Sequence, residues 1–237
     1  MKFKVINLTR TPERLYSFIK NNPTFKFERF NAIDGKKVDR NYLLQENLVS
    51  NTVKERYTDG AIGIALSHRE LWKECVQSGQ NMTILEDDAY LIKNFNNLVV
   101  KYCNLLENWD FIFWGMNLDQ RIVLEMSPGI ATTELKFNHE QVLANIQNIT
   151  TQNNVNTYFY RCFWGVGLVC YSINPTSAQY LLDNIFPLHD YDTNHGFNYG
   201  IDNSIIEELP NMMALAAFPP LALTKNDRYN STVQENN

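Results

Sequence analysis

The 237-residue chain has no apolar run approaching the ~20 residues that a membrane-crossing helix needs. Its start, MKFKVINLTR, holds one short apolar stretch and then polar side chains. It lacks the long hydrophobic segment and small-residue cleavage site of a secretory leader. Positive charge is scarce. Lys and Arg number 21 against 26 Asp and Glu, a formal charge of −5, which argues against nucleic-acid binding because phosphate backbones are met by basic surfaces. The same deficit argues against a strongly polybasic membrane anchor and leaves only a local basic patch for peripheral contact with a membrane. Cysteine is sparse too. Cys75, Cys103, Cys162 and Cys170 show no Cys-x-x-Cys spacing, so without a leader they read as reduced core residues and not as a disulfide framework. No internal repeat and no low-complexity linker interrupt the chain. These absences predict a soluble intracellular protein.

Hydrophobic residues make up 44% of the chain, enough to fill the core of one sizeable domain or two small ones. FKVINL (3–8) reads as a strand, and Thr11-Pro12 then offers a cap and a first helical residue. FKFERFNAI (25–33) alternates and predicts a second strand, ending at Asp34-Gly35. Residues 36–58 predict short helices and loop. DGAIGIALSHRELWKECVQSG (59–79) has the apolar spacing of a helix closed by Gly79. MTIL (82–85) and DFIFWG (110–115) read as buried strands with a helix between them. Residues 119–157, rich in Asn, Gln and Thr, carry no clear pattern. YFYRCFWGVGLVCYSI (158–173) is β-rich, broken by Gly165 and Gly167, and Asn174-Pro175 opens another helix. Strands alternating with helices predict an α/β sandwich with a mostly parallel central sheet.

MTIL runs straight into Glu86, Asp87 and Asp88. Three adjacent carboxylates repel one another, and burying any of them unpaired is costly. Ligands of open α/β sheets collect beyond the carboxyl ends of strands, where this triplet falls. Hard carboxylate oxygens suit Mg2+ or Mn2+ with positions left open for a phosphate-bearing ligand. On an extended segment Glu86 and Asp88 point to one side and Asp87 to the other. The alternative is a solvated acidic turn with no ion. LHDYDTNHG (188–196) is a second candidate, with Asp190 and Asp192 at the same spacing and His189 and His195 nearby, but no buried strand delivers it.

Four stretches, taken together and in order, resemble glycosyltransferase family 25, the lipopolysaccharide-type galactosyltransferases. They are VINLTRTPERL, GAIGIALSHRELWKECVQSG, ILEDDA, and GVGLVCYSINPTSAQYLL followed by Asp202 in GIDNSI. The resemblance implies a GT-A-like nucleotide-sugar-binding sandwich, with a nucleotide-binding half at about 1–118, an acceptor-binding half at about 119–224 and a loose tail at 225–237. It implies transfer of a hexose, galactose foremost, from a UDP-sugar to an oligosaccharide or lipid-linked saccharide acceptor at the inner face of the cytoplasmic membrane. Glu-Asp-Asp then stands for a DxD-like motif. Asp88 is the main ligand of Mn2+ or Mg2+, Glu86 binds it directly or through water, and Asp87 bonds the ribose or donor sugar. Asn7, Arg10 and Arg14 follow the first strand, where such folds seat the nucleotide, with surface charges on a helix start as the other reading of the two arginines; Ser67 and His68 carry a donor-site role, with a hydrogen-bonded core residue as the other reading of His68. Asp202 is the candidate base of an inverting reaction, with a helix cap as its other reading and Asp190 and Asp192 as substitutes. Trp164, Tyr158, Tyr160 and Tyr199 either stack on acceptor sugars or fill core. Lys225 and Arg228 sit in a segment that either folds over the diphosphate or stays a tail. Two other functions keep the same pocket: a noncatalytic nucleotide-sugar-binding module, and a metal-dependent phosphoesterase or nucleotidyltransferase.

Overall fold

The computed structural model describes residues 1–152, 155–189 and 200–226. In chain order these hold β1 (Lys2–Asn7), α1 (Pro12–Asn21), β2 (Glu28–Asn31), α2 (Arg40–Gln45), α3 (Asn51–Arg56), α4 (Asp59–Ser78), β3 (Met82–Glu86), β4 (Tyr90–Leu91), α5 (Phe95–Leu105) and β5 (Phe111–Gly115). There follow β6 (Arg121–Ser127), β7 (Ala131–Lys136), α6 (His139–Thr150), β8 (Tyr158–Gly165), β9 (Cys170–Ile173), α7 (Pro175–Ile185), α8 (Ile201–Glu208), β10 (Ala214–Phe218) and β11 (Ala222–Leu223). Local chemistry sets several of these bounds. Pro12 opens α1, Gly79 closes α4 in the left-handed region at φ 62°, and the Asn174 side chain accepts from the Ser177 N–H to start α7.

The main sheet has nine strands in the order β2-β1-β3-β9-β5-β10-β8-β6-β7. β1 is parallel to β2 and β3, and β5 to β10, while β9 lies antiparallel between β3 and β5. The sheet is therefore mixed: a group of codirectional strands with an antiparallel insertion and an antiparallel β10-β8-β6-β7 flank. The connections dictate this. The turn from β6 to β7 spans only residues 128–130, and a parallel pair needs a crossover of a dozen residues or more. β6, β7 and α6 all fall in the stretch that showed no pattern in the sequence.

Helices cover both faces. α4, α7 and α8 pack with Ile84, Phe113 and Tyr171 in one layer; α1 and α5 pack with Val5, Leu85 and Ile112 in the other. That is why MTIL reads as a continuous apolar run without alternation: Ile84 and Leu85 face opposite layers, and both layers are dry.

α4 lies close to the loop beyond β2. A Cβ on Gly63 would come 2.5 Å from the Ile33 carbonyl oxygen and 2.8 Å from the Gly35 N. One turn on, Ser67 Oγ donates to the Gly63 carbonyl (2.7 Å) and accepts from the Ile33 N–H (2.8 Å). The helix is thus pinned to the carboxyl ends of the parallel strands. Gly63→Ala collides with backbone, not with a movable side-chain end, and is expected to cost about 1–3 kcal/mol in denaturant unfolding despite alanine's better helix propensity.

A second, two-stranded sheet pairs β4 with β11, Leu91 opposite Ala222 and Tyr90 opposite Leu223. It carries the segment that follows β11 back to the end of β3.

Candidate active site

Glu86 closes β3, its N–H donating to the Val169 carbonyl (3.1 Å), and Asp87 and Asp88 form the turn that follows. Asp87 turns toward α1. Its Oδ1 accepts from Arg14 Nε (2.8 Å) and Nη2 (2.5 Å), and its Oδ2 accepts from Asn7 Nδ2 (2.6 Å). Burial works against the Arg14 charge, but Asp87, Asp88 and Glu86 more than offset it and hold the guanidinium protonated. Arg14 and Asn7 thus meet the middle carboxylate of the triplet. Asn7 Oδ1, at the end of β1, is buried with no hydrogen-bond partner.

Glu86 and Asp88 are in a different state. Burial, then repulsion from Asp88, then Asp202 and Asp87 push Glu86 up to about 8, with Arg14 opposing. Burial also raises Asp88, against Arg14 and a hydrogen bond from Thr224 Oγ1 to its Oδ2 (3.0 Å). Asp88 Oδ1 is buried without a partner. Asp202 arrives from the first turn of α8. Its Oδ2 accepts from the Gly167 N–H (3.2 Å) and its Oδ1 from the Asn203 N–H (3.1 Å), while burial raises its pKa. Gly167 sits at φ 89°, and a Cβ there would lie 2.4 Å from the Asn117 side chain. Only glycine lets that backbone N–H reach Asp202.

These residues fit a divalent cation. Several carboxylates crowd one guanidinium, Glu86, Asp88 and Asp202 are pushed toward protonation, and one buried carboxylate oxygen has no donor; a hard cation relieves all of these conditions. Among the described residues no group of three or more His, Cys, Asp or Glu side chains is arranged to hold a metal alone. The fit is to an open site, with one or two carboxylates and the remaining positions for water and ligand oxygens.

The other sequence candidates are placed as follows. Arg10 Nε stands 3.3 Å from Asp34 Oδ2 at the surface. Ser67 spends its hydroxyl within the chain, as above. His68 is buried on α4, with Nδ1 2.8 Å from the Tyr171 hydroxyl, and desolvation lowers it to about 3, so the ring is neutral. Trp164 lies under the Arg121 guanidinium, 4.9 Å from the ring centre, and Tyr160 packs beside it on the core while Tyr158 is exposed. Lys225 Nζ stands 5.2 Å from the centre of the Tyr90 ring. The His189 carbonyl accepts from the Tyr57 hydroxyl at 3.5 Å. Asp190, Asp192, His195, Tyr199 and Arg228 lie outside the described residues. Thr224, Gly167, Tyr171 and Trp72 were not singled out from the sequence. Only the positive-φ glycine left a local trace there, as a break in a β-rich run.

A family-wide sequence model described as "Glycosyltransferase family 25 (LPS biosynthesis protein)" matches residues 1–195, most of the chain. The chain belongs to glycosyltransferase family 25. Membership makes it a glycosyltransferase of a family tied to lipopolysaccharide biosynthesis, whose reactants are a sugar donor and a saccharide acceptor. The matched region includes β1, α4, the carboxylate turn and the Gly167 loop. No curated protein matches the chain. Among solved structures, "Crystal Structure of A197 from STIV" aligns over 100% of both chains at 10% identity with a TM-score of 0.37, too low for a shared architecture to be read from it. No helix among the described residues is long and apolar enough to cross a membrane.

Proposed function

We propose that this family 25 member is a metal-dependent, inverting hexosyltransferase with a GT-A-like site, moving galactose from UDP-galactose to a hydroxyl of a lipopolysaccharide or lipooligosaccharide acceptor. The observation that carries the proposal is the unpartnered, buried Asp88 Oδ1 beside a Glu86 held near protonation, at the end of a parallel strand. Asp88 and Glu86 would hold Mn2+ or Mg2+, which when bound supplies Lewis-acid stabilisation of the charge developing on the departing diphosphate.

The chain's own groups do the rest. Asn7 presents its free acceptor oxygen at the end of β1, where the nucleotide would lie. Arg14 clamps Asp87 and lends its field to the whole triplet, and Lys225, over the Tyr90 ring, would supply a second cation to the diphosphate. Asp202 takes the acceptor hydroxyl proton as that oxygen bonds to the anomeric carbon and the bond to the diphosphate breaks. Its raised pKa makes it a better base than an ordinary carboxylate. Trp164, partly buried beneath Arg121, would offer its remaining exposed surface to the acceptor. Incubation with UDP-galactose, UDP-glucose and the two UDP-N-acetylhexosamines, with products followed by NMR, tests this. Transfer from UDP-galactose with inverted anomeric configuration is the expected result. Release of phosphate without glycoside, or a retained configuration, would contradict it.

Acid–base behaviour gives a further expectation. In the free protein Glu86 binds its proton more tightly when folded, near 8, than its ordinary 4.5. Folding therefore loses stability as pH rises through that window. Binding a cation displaces the proton, so affinity for Mg2+ should climb toward pH 8, by up to roughly tenfold per unit for one displaced proton. Glu86→Gln should raise the stability of the metal-free protein at pH 8 by about 1–2 kcal/mol, less than the full shift implies because the carboxylate still touches solvent. The same change should erase stabilisation by Mg2+. Thermal melts at pH 6 and 8, with and without Mg2+, check both effects.

A further inference from the structure

The Tyr171 hydroxyl accepts from Trp72 Nε1–H at 2.8 Å and lies 2.8 Å from His68 Nδ1. An indole nitrogen can only donate, and a phenol has one proton. Among the described residues His68 Nδ1 is the one acceptor within reach of that proton; donation to it leaves the phenol fully paired, so Nδ1 is the bare nitrogen and the imidazole carries its hydrogen on Nε2. His68 Nε2 is buried with no hydrogen-bond partner. A buried N–H left unpaired costs about 1–3 kcal/mol, and this one is fixed by two further buried side chains.

Position along the sheet relates this group to the acidic strand end. Tyr171 stands opposite Ile84 on β3, and Glu86 lies two residues further on the same face. α4 runs opposite to β3. Its Gly63 and Ser67 meet Ile33 and Gly35 beyond the carboxyl end of β2, whereas Cys75 meets the carbonyls of Gln80 and Ile173 at the other end. His68 is one helical turn nearer the site end than Trp72. From the level of Tyr171, His68 on the helix and Glu86 on the strand are both displaced the same way, within the same layer. Among the described residues no hydrogen-bond donor reaches the Glu86 carboxylate. One group is a donor without an acceptor, the other an acceptor without a donor.

We propose that His68 is a positioning residue: in the loaded site its Nε2–H donates to the Glu86 carboxylate and fixes the oxygen that Glu86 turns toward the ion, with Trp72 and Tyr171 as the relay that sets the tautomer. This rests on the reading of Glu86 and Asp88 as the cation site. Groups that orient a metal-binding side chain typically account for 10–100-fold in metal affinity.

The test is 15N NMR of the histidine side chains in wild-type protein, free and with Mg2+ plus UDP, assigned with His68→Gln. The metal-free protein should show His68 protonated on Nε2 and bare on Nδ1, and adding Mg2+ and UDP should move the Nε2–H proton downfield. His68→Leu should weaken Mg2+ binding at least tenfold, and His68→Gln, which keeps a neutral N–H donor, should recover part of it. Tyr171→Phe should leave His68 a mixture of tautomers. A proton on Nδ1, an Nε2–H signal unmoved by Mg2+ and UDP that do bind, or equal losses in His68→Gln and His68→Leu would overturn the role of His68 alone. Failure of Mg2+ and UDP to bind wild type would overturn both it and the cation site.

Discussion

Asp88→Asn lowers kcat/KM for sugar transfer by about 10³-fold, roughly 4 kcal/mol of transition-state stabilisation, and leaves the metal-free protein as stable as wild type or more so. The two halves of this expectation have one cause. Asp88 carries a buried carboxylate oxygen without a donor, and burial pushes its pKa up. Such a charge costs folding energy, and the proposed cation site gives it a use. Asparagine keeps the shape and can still pair with the Thr224 hydroxyl, but it removes the negative charge that would hold a cation. Steady-state kinetics together with thermal unfolding of the same preparation separate this from a folding defect. A variant that loses stability and activity in parallel, or that keeps activity within tenfold, contradicts the role given to Asp88.

The largest stability effect is expected at the other carboxylate. Arg14→Leu strands Asp87, only 7% exposed and held by both Arg14 and Asn7. Removing one partner of a buried ion pair leaves an uncompensated charge, at about 3–5 kcal/mol. For a chain of this size that is a fall in Tm of roughly 6–20 °C. The double variant Arg14→Leu/Asp87→Asn should regain a large part of the loss, since the stranded charge is gone. Denaturant unfolding of the two single variants and the double variant completes the cycle. Additive losses would mean that Arg14 and Asp87 are not coupled. Asp87 and Asp88, adjacent in sequence, thus respond oppositely: one is neutralised by the fold, the other is left open.

Much of the scaffold was legible because its signals are local. Pro12, Gly79 and Asn174 mark helix ends through their own backbone or side-chain chemistry, and the unbroken apolar run of β3 reports a strand covered on both faces. The period of two in an extended chain separates Glu86, on the Ile84 face of β3, from Asp87, which turns to Arg14 on α1. What was illegible is non-local. β9 lies between β3 and β5 through pairings that no segment announces by itself. Arg14 is 73 residues from Asp87, and Thr224 is 136 from Asp88. Arg14 on a helix start reads equally as a nucleotide ligand or a surface charge, and only the fold brings Asp87 to it. The relay through Tyr171 and Trp72 reads in sequence as ordinary core aromatics. β6, β7 and α6 were hidden because their exposed faces dilute the apolar pattern: only Ile122, Leu124 and Ile146 among them are fully buried apolar residues.

On the proposed reading the acidic strand end holds a cation against a sugar nucleotide. Calorimetric titration of UDP-galactose into wild-type protein, in Mn2+ and again in excess chelator, tests it most directly. Saturable binding that requires Mn2+ is expected. Binding of equal affinity in chelator, or none in either condition, would contradict it.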